Sequence, residues 1–122
     1  MKALLFPGQG VQKVGMMDFL LESDMEIKSL FTQTSNVLDF DLFELVKTGP
    51  EHKLNLTEYA QPAILATSVA IARKKANDLD FSYTAGLSLG EYSALVFAEC
   101  IDFNDAIKLV NFRGKLMQNA VP

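Results

Sequence analysis

The chain has 122 residues, 49% of them apolar and 21% charged, with a net charge of −4 at neutral pH. That length suits one domain, which would bury roughly two-thirds of the surface its unfolded chain exposes, and the composition excludes intrinsic disorder. With no basic cluster beyond Arg73, Lys74 and Lys75, the chain lacks the cationic surface a nucleic-acid binder uses to neutralise phosphates.

Residues 2–6 (KALLF) form a short apolar run stopped by Pro7 and Gly8, which reads as a buried strand. The loop PGQG follows. Residues 15–21 are compatible with helix, and Ile27, Leu30, Phe31 and Leu38 have the spacing of an amphipathic helix beginning near Asp24. A shorter helix over residues 41–47 stops at Gly49 and Pro50. Residues 50–55 are polar and read as a loop that exposes His52. A further helix spans residues 60–78, with Pro62 in its first turn, where a missing N–H is harmless, and Asn77 as its stop. Apolar residues cover most of its circumference from 63 to 72, so it should be buried on more than one side.

The β-branched and aromatic run at 79–85 reads as the second strand, and a helix opens at Ser88 or Leu89 and runs to about Glu99. Asp102 is the expected N-cap of the last helix, which continues through residues 106–120. This alternation is that of an α/β fold with a parallel sheet. Two strands cannot make a sheet covered on both faces by five or so helices, and the ending QNAVP does not have the composition of a tail, so the expectation is a chain that stops before its fold is complete.

Cys100 is the only cysteine, which excludes an internal disulfide and points to the reducing cytoplasm; it is expected as a small buried residue. The N-terminal apolar run is too short for a signal peptide. The longest apolar stretch, 63–72, is broken by Thr67 and Ser68 and falls short of a membrane span. A cytoplasmic protein without a membrane partner is the expectation.

Gly86-Leu87-Ser88-Leu89-Gly90 matches G-x-S-x-G, the tight strand-to-helix turn that holds a nucleophilic serine out at the top of a sheet. Its place after a predicted strand and before a predicted helix favours a nucleophile over a plain turn. The free N–H of Leu89, at the positive end of the helix dipole, would face a developing oxyanion. In a parallel sheet the loop after the first strand opens on the same edge, so Gln9 could offer the second backbone N–H. The rival reading of that loop, a phosphate cradle, lacks the G-K-[ST] ending, and Lys13 stands where a dinucleotide fingerprint needs its third glycine.

Arg113 falls on the apolar face of the last helix with Ala106, Val110 and Met117. Left unpartnered in the interior, its charge would cost about 3–5 kcal/mol. It therefore calls for an anion, either Glu91 or Asp105, which the pattern alone favours, or a carboxylate on a ligand held by two parallel hydrogen bonds. A serine also needs a base, usually histidine. His52 is the only histidine and precedes Ser88, whereas elbow hydrolases carry theirs after the serine, so this chain alone is expected to be nearly inert.

Taken together, FPGQG, AQPA, GLSLGEYSAL and FRGKLMQ, in this order and at these separations, resemble the malonyl-CoA:acyl carrier protein transacylases of type II fatty acid synthesis. The resemblance runs from end to end. It implies that residues 1–122 are the N-terminal part of a hydrolase-like three-layer α/β/α acyltransferase subdomain, with a ferredoxin-like subdomain and the catalytic histidine lying beyond them. It implies that Ser88 attacks the malonyl thioester, that the backbone N–H groups of Gln9 and Leu89 hold the oxyanion, that Arg113 grips the malonyl carboxylate and that Gln61 lines the site. The implied partners are malonyl-CoA and acyl carrier protein, with no metal or other cofactor and a monomeric complete enzyme. Leu87 stands where many members have histidine; because the elbow depends on backbone geometry, catalysis should survive and the pocket wall should change. A polyketide-type acyltransferase, an acyl hydrolase of the same fold and a non-catalytic interaction domain are the competing readings.

Overall fold

The computed structural model describes residues 2–20, 24–75 and 79–120. Strands β1 (Ala3–Phe6) and β2 (Tyr83–Gly86) are accompanied by helices α1 (Met25–Val37), α2 (Leu42–Thr48), α3 (Glu51–Leu54), α4 (Thr57–Lys75), α5 (Leu89–Phe97) and α6 (Phe103–Ala120). The α/β class is as expected. The strands pair in parallel, Ala3 opposite Tyr83 and Phe6 opposite Gly86, and the Leu87 N–H continues the ladder to Phe6 O at 3.3 Å. Both strands thus end at the same edge, where the chain turns into the two loops of interest.

The expected second strand is shorter than residues 79–85 and begins at Tyr83; just before it, Ser82 N–H donates to Lys2 O at 2.9 Å. Nor is β1 buried on both sides. Phe6 packs with Ala72 and Ala94, with Leu4 and Phe97 alongside, whereas Leu5 on the opposite face is 72% exposed. Side chains alternate across a strand, so one covered face buries only every second residue.

Most of the core is helical. Phe31, Leu42, Leu54, Ile64, Leu65, Leu89 and Ile107 are its largest fully buried apolar side chains. Asp24 caps α1 by accepting from the Glu26 and Ile27 amides, and it also pairs with Lys74 of α4 at 2.7 Å. That ammonium, and then the two amides, hold the Asp24 carboxyl below the ordinary carboxylate range. Residues 15–20 lie in successive four-residue turns, closed by bonds such as Asp18 N–H to Gly15 O and Leu20 N–H to Met17 O, rather than in the expected helix; the Gly15 amide is tied to Val46 O, and Gly15 itself has φ 83°. Leu21, the expected end of that stretch, and Asn77, the expected stop of α4, lie outside the described residues.

Residues 51–54 are a short helix, not a loop, with Leu54 fully buried beneath it; His52 is exposed as expected. Cys100 corrects the expectation of burial. It is exposed, in the turn that follows Glu99, whose φ of 62° ends α5.

Helix α4 begins earlier than its proline suggests, so Pro62 lies inside it. A proline there deprives the carbonyl of the residue four before it of a donor. Asn111 of α6 donates its Nδ2 to that carbonyl, Glu58 O, at 3.0 Å, and Gln118 Oε1 accepts from the Thr57 amide at 2.9 Å. Side chains of α6 therefore complete the start of α4. Gly114 lets the two helices close, since a Cβ there would meet Glu58 Cα and Thr57 O at 2.7 Å. The buried stripe of α6 is Phe103, Ala106, Ile107, Val110, Asn111 and Gly114. Arg113 sits half-buried at its edge, and Met117, expected within the stripe, is 40% exposed. Among the described residues, no helix is long and apolar enough to cross a membrane.

Candidate active site

Ser88 has φ 55° and ψ −113°, a backbone conformation unusual for a residue with a Cβ. Close backbone packing around it holds the turn. A Cβ on Gly86 would meet Gly90 C and O at 2.0 Å, one on Gly90 would meet Phe6 O at 2.3 Å, and one on Gly8 would meet Leu87 O at 2.7 Å. The first contact closes the elbow on itself, the second seats it on β1, and the third lays the 7–10 loop against it. Ser88 is exposed and occupies the N-cap position of α5 without making a side-chain capping bond, so its hydroxyl is not consumed by the helix.

The Leu89 amide opens α5 and has no backbone acceptor among the described residues; the same holds for the Gln9 amide. The Gln9 side chain donates Nε2 to Thr57 Oγ1 at 3.2 Å, and Gln12 donates to Asn55 Oδ1 at 3.0 Å, tying this loop to the start of α4. Leu87 contributes backbone to the elbow, its carbonyl accepting from the Gly90 amide at 2.9 Å, while its side chain is 77% exposed.

Arg113 comes to this elbow from α6. Its Nη2 donates to Ser88 Oγ at 3.2 Å and its Nη1 to Gln61 Oε1 at 2.9 Å, and its Cζ lies 5.4 Å from the centre of the Tyr92 ring. Amide, hydroxyl and ring face orient the guanidinium, and none of them neutralises it. The expected internal partners do not pair with it. Asp105 lies two helical turns earlier on α6, about 12 Å along the axis, and Glu91 is exposed in the first turn of α5. Among the described residues no carboxylate pairs with Arg113.

Ser88, Arg113 and Gln61 are thus joined directly, Leu87 and Leu89 belong to the elbow itself, and Gln9 follows Gly8, which packs on Leu87 O, while its own side chain is bonded to Thr57. His52 makes no hydrogen bond to Ser88. Sequence reasoning missed Tyr92, although it follows Ser88 by four residues and so shares a face with it, and it missed that Met117 Sδ accepts from Gln61 Nε2 at 3.2 Å. The open cleft lined by Met25, Ile27, Arg73, Lys74 and Glu99 lies between α1 and α4 and contains none of these residues.

The family model for the acyl transferase domain matches residues 3–122. The malonyl CoA-acyl carrier protein transacylase of Haemophilus influenzae is 53% identical over 123 residues, and that of Staphylococcus aureus is 46% identical over 120; in both cases the match covers 98% of this chain and 39% of the relative. Among solved structures, an acyl carrier protein S-malonyltransferase from Vibrio cholerae superposes with a TM-score of 0.91 at 52% identity, covering 98% of this chain and 40% of that one. A type II PKS acyl-carrier protein in complex with its malonyl-transacylase gives the same TM-score, identity and coverage. The chain therefore spans about two-fifths of the length of the relatives it matches. With the match running over residues 3–122 and the serine elbow formed as the motif requires, the chain belongs to the acyl transferase domain family.

Proposed function

We propose that the protein carrying this chain moves a malonyl group from coenzyme A to the phosphopantetheine thiol of an acyl carrier protein, through an ester on Ser88. The observation that carries this reading is Arg113: a cation with no carboxylate partner among the described residues, 3.2 Å from Ser88 Oγ. In a malonyl ester the free carboxylate lies two bonds beyond the ester carbonyl, within reach of that guanidinium, whereas an acetyl ester has nothing to offer it.

Ser88 Oγ attacks the thioester carbonyl as its proton passes to a base, and the Gln9 and Leu89 amides receive the oxyanion. The carbon–sulfur bond then breaks, the coenzyme A sulfur takes up a proton, and malonate remains on Ser88. The carrier thiol attacks that ester in turn, its own proton leaving, and the carbon–oxygen bond breaks to restore the serine hydroxyl. Arg113 can only donate to Ser88, so it leaves the hydroxyl proton free but cannot accept it. The base is assigned to the histidine that the family resemblance supplies, which makes the 122 residues inactive alone. No metal or other cofactor enters the scheme.

A second reading concerns the carrier alone. The neighbour whose partner is a type II PKS carrier protein is 52% identical over this chain, which favours a polyketide carrier as much as a fatty acid one. The test is intact-mass spectrometry of the full gene product after incubation with malonyl-CoA. The expected result is one malonyl adduct, lost in Ser88→Ala and discharged by holo carrier protein; an adduct that persists in Ser88→Ala places the nucleophile elsewhere.

A further inference from the structure

Gln61 is 1% exposed, so both ends of its side-chain amide need partners. Arg113 decides which end faces it. A guanidinium has donors and no acceptor, so the atom 2.9 Å from Nη1 is the amide oxygen. The NH2 is thereby turned the other way, and the acceptor it meets is a thioether, Met117 Sδ, at 3.2 Å. Among the described residues no oxygen takes either of its N–H bonds.

We infer that Met117 is a positioning residue for recognition of the acyl carboxylate: its sulfur holds the Gln61 amide in the orientation that presents oxygen to Arg113, and so keeps the guanidinium beside Ser88. This rests on the reading of Arg113 as the carboxylate clamp. The residue type suits the task. Arg113 and Met117 are four apart on α6 and share one face of the helix. A glutamate at position 117 would reach the guanidinium and neutralise the charge that the substrate needs. A hydroxyl or amide there would bring an oxygen that competes with Gln61 for the same N–H groups. A thioether is a weak acceptor. It satisfies a neutral NH2 and competes poorly for a cation. Leucine fills a similar volume without a lone pair, so in Met117→Leu the buried NH2 loses its acceptor and the amide no longer holds Arg113 in place, while the fold tolerates the exchange.

The experiment measures steady-state loading from malonyl-CoA and acetyl-CoA for the full gene product, Met117→Leu, Gln61→Ala and the double variant, with Arg113→Ala as control. The expected result is a malonyl KM raised about three- to tenfold in Met117→Leu, the loss of one hydrogen bond. The malonyl kcat and the acetyl KM should stay near the parent values, and no further rise should follow once Gln61 is alanine. An unchanged malonyl KM, an equal rise for acetyl, or a penalty that adds to that of Gln61→Ala overturns the inference. If Arg113→Ala raises the malonyl KM while Met117→Leu does not, this inference alone falls; if Arg113→Ala leaves it unchanged, the clamp falls too.

Discussion

At Ser88 the chain holds a residue with a Cβ at positive φ, a conformation that costs on the order of 1–3 kcal/mol and persists only where its surroundings over-determine it. Those surroundings are backbone atoms seated on glycines, which makes Gly90 the sharpest test. An ordinary glycine inside a helix would gain about 1 kcal/mol on replacement by alanine. Here the added Cβ would meet Phe6 O at 2.3 Å, and a backbone carbonyl in a paired strand cannot move aside cheaply. The sign should reverse. Denaturant unfolding of the full gene product is expected to show Gly90→Ala losing about 1–3 kcal/mol; a gain would show that the elbow is not packed as described. The glycines and serine were legible in the sequence because the motif is local. The partners of Arg113 were not: Gln61 is 52 residues away in the chain, and helical spacing reports only neighbours on the same helix.

At the scale of elements, the crossing of α4 and α6 sets the site, because it brings Gln61 and Arg113 face to face. Pro62 frees the Glu58 carbonyl, and Asn111 takes it. Asn111→Leu should therefore cost about 1–3 kcal/mol, the cost of leaving that acceptor without a donor. In a Pro62→Ala background the alanine N–H can serve Glu58 O, so the same change should cost measurably less; equal costs in both backgrounds would break the link between proline and asparagine. The sequence misplaced this element for a physical reason. A proline is most often tolerated in a first turn, and only a side chain from another helix makes it tolerable deeper in. Residues 15–20 failed in a similar way: their composition permits helix, but Gly15 is held at positive φ by its bond to Val46. Helix α1 was legible from the spacing of its apolar residues and α2 from its stop at Gly49 and Pro50, and the structure adds that Asp24 and Asp41 cap their starts.

Across the whole molecule, two parallel strands deliver two loops to one edge, and a pair of crossed helices delivers a cation to the same place. The α/β class and the order of the two strands and the longer helices were readable from apolar runs, helical spacing and stop signals, whereas α3 was read as a loop and residues 15–20 as a helix. The sheet's exposure was not readable, since the apolar run of β1 suggests burial on both faces and only one is covered. The proposed function rests on a claim about charge: that Arg113, which has no carboxylate partner among the described residues, is held for one on the acyl group. The most direct measurement is kcat/KM for loading malonyl and acetyl groups onto Ser88 in the full gene product and in Arg113→Ala. Removing one partner of such a charge pair should lower the malonyl value roughly 100- to 1000-fold and leave the acetyl value within a few-fold of its starting point. Equal losses for the two acyl groups would contradict the account, because Arg113 would then support the elbow rather than read the substrate.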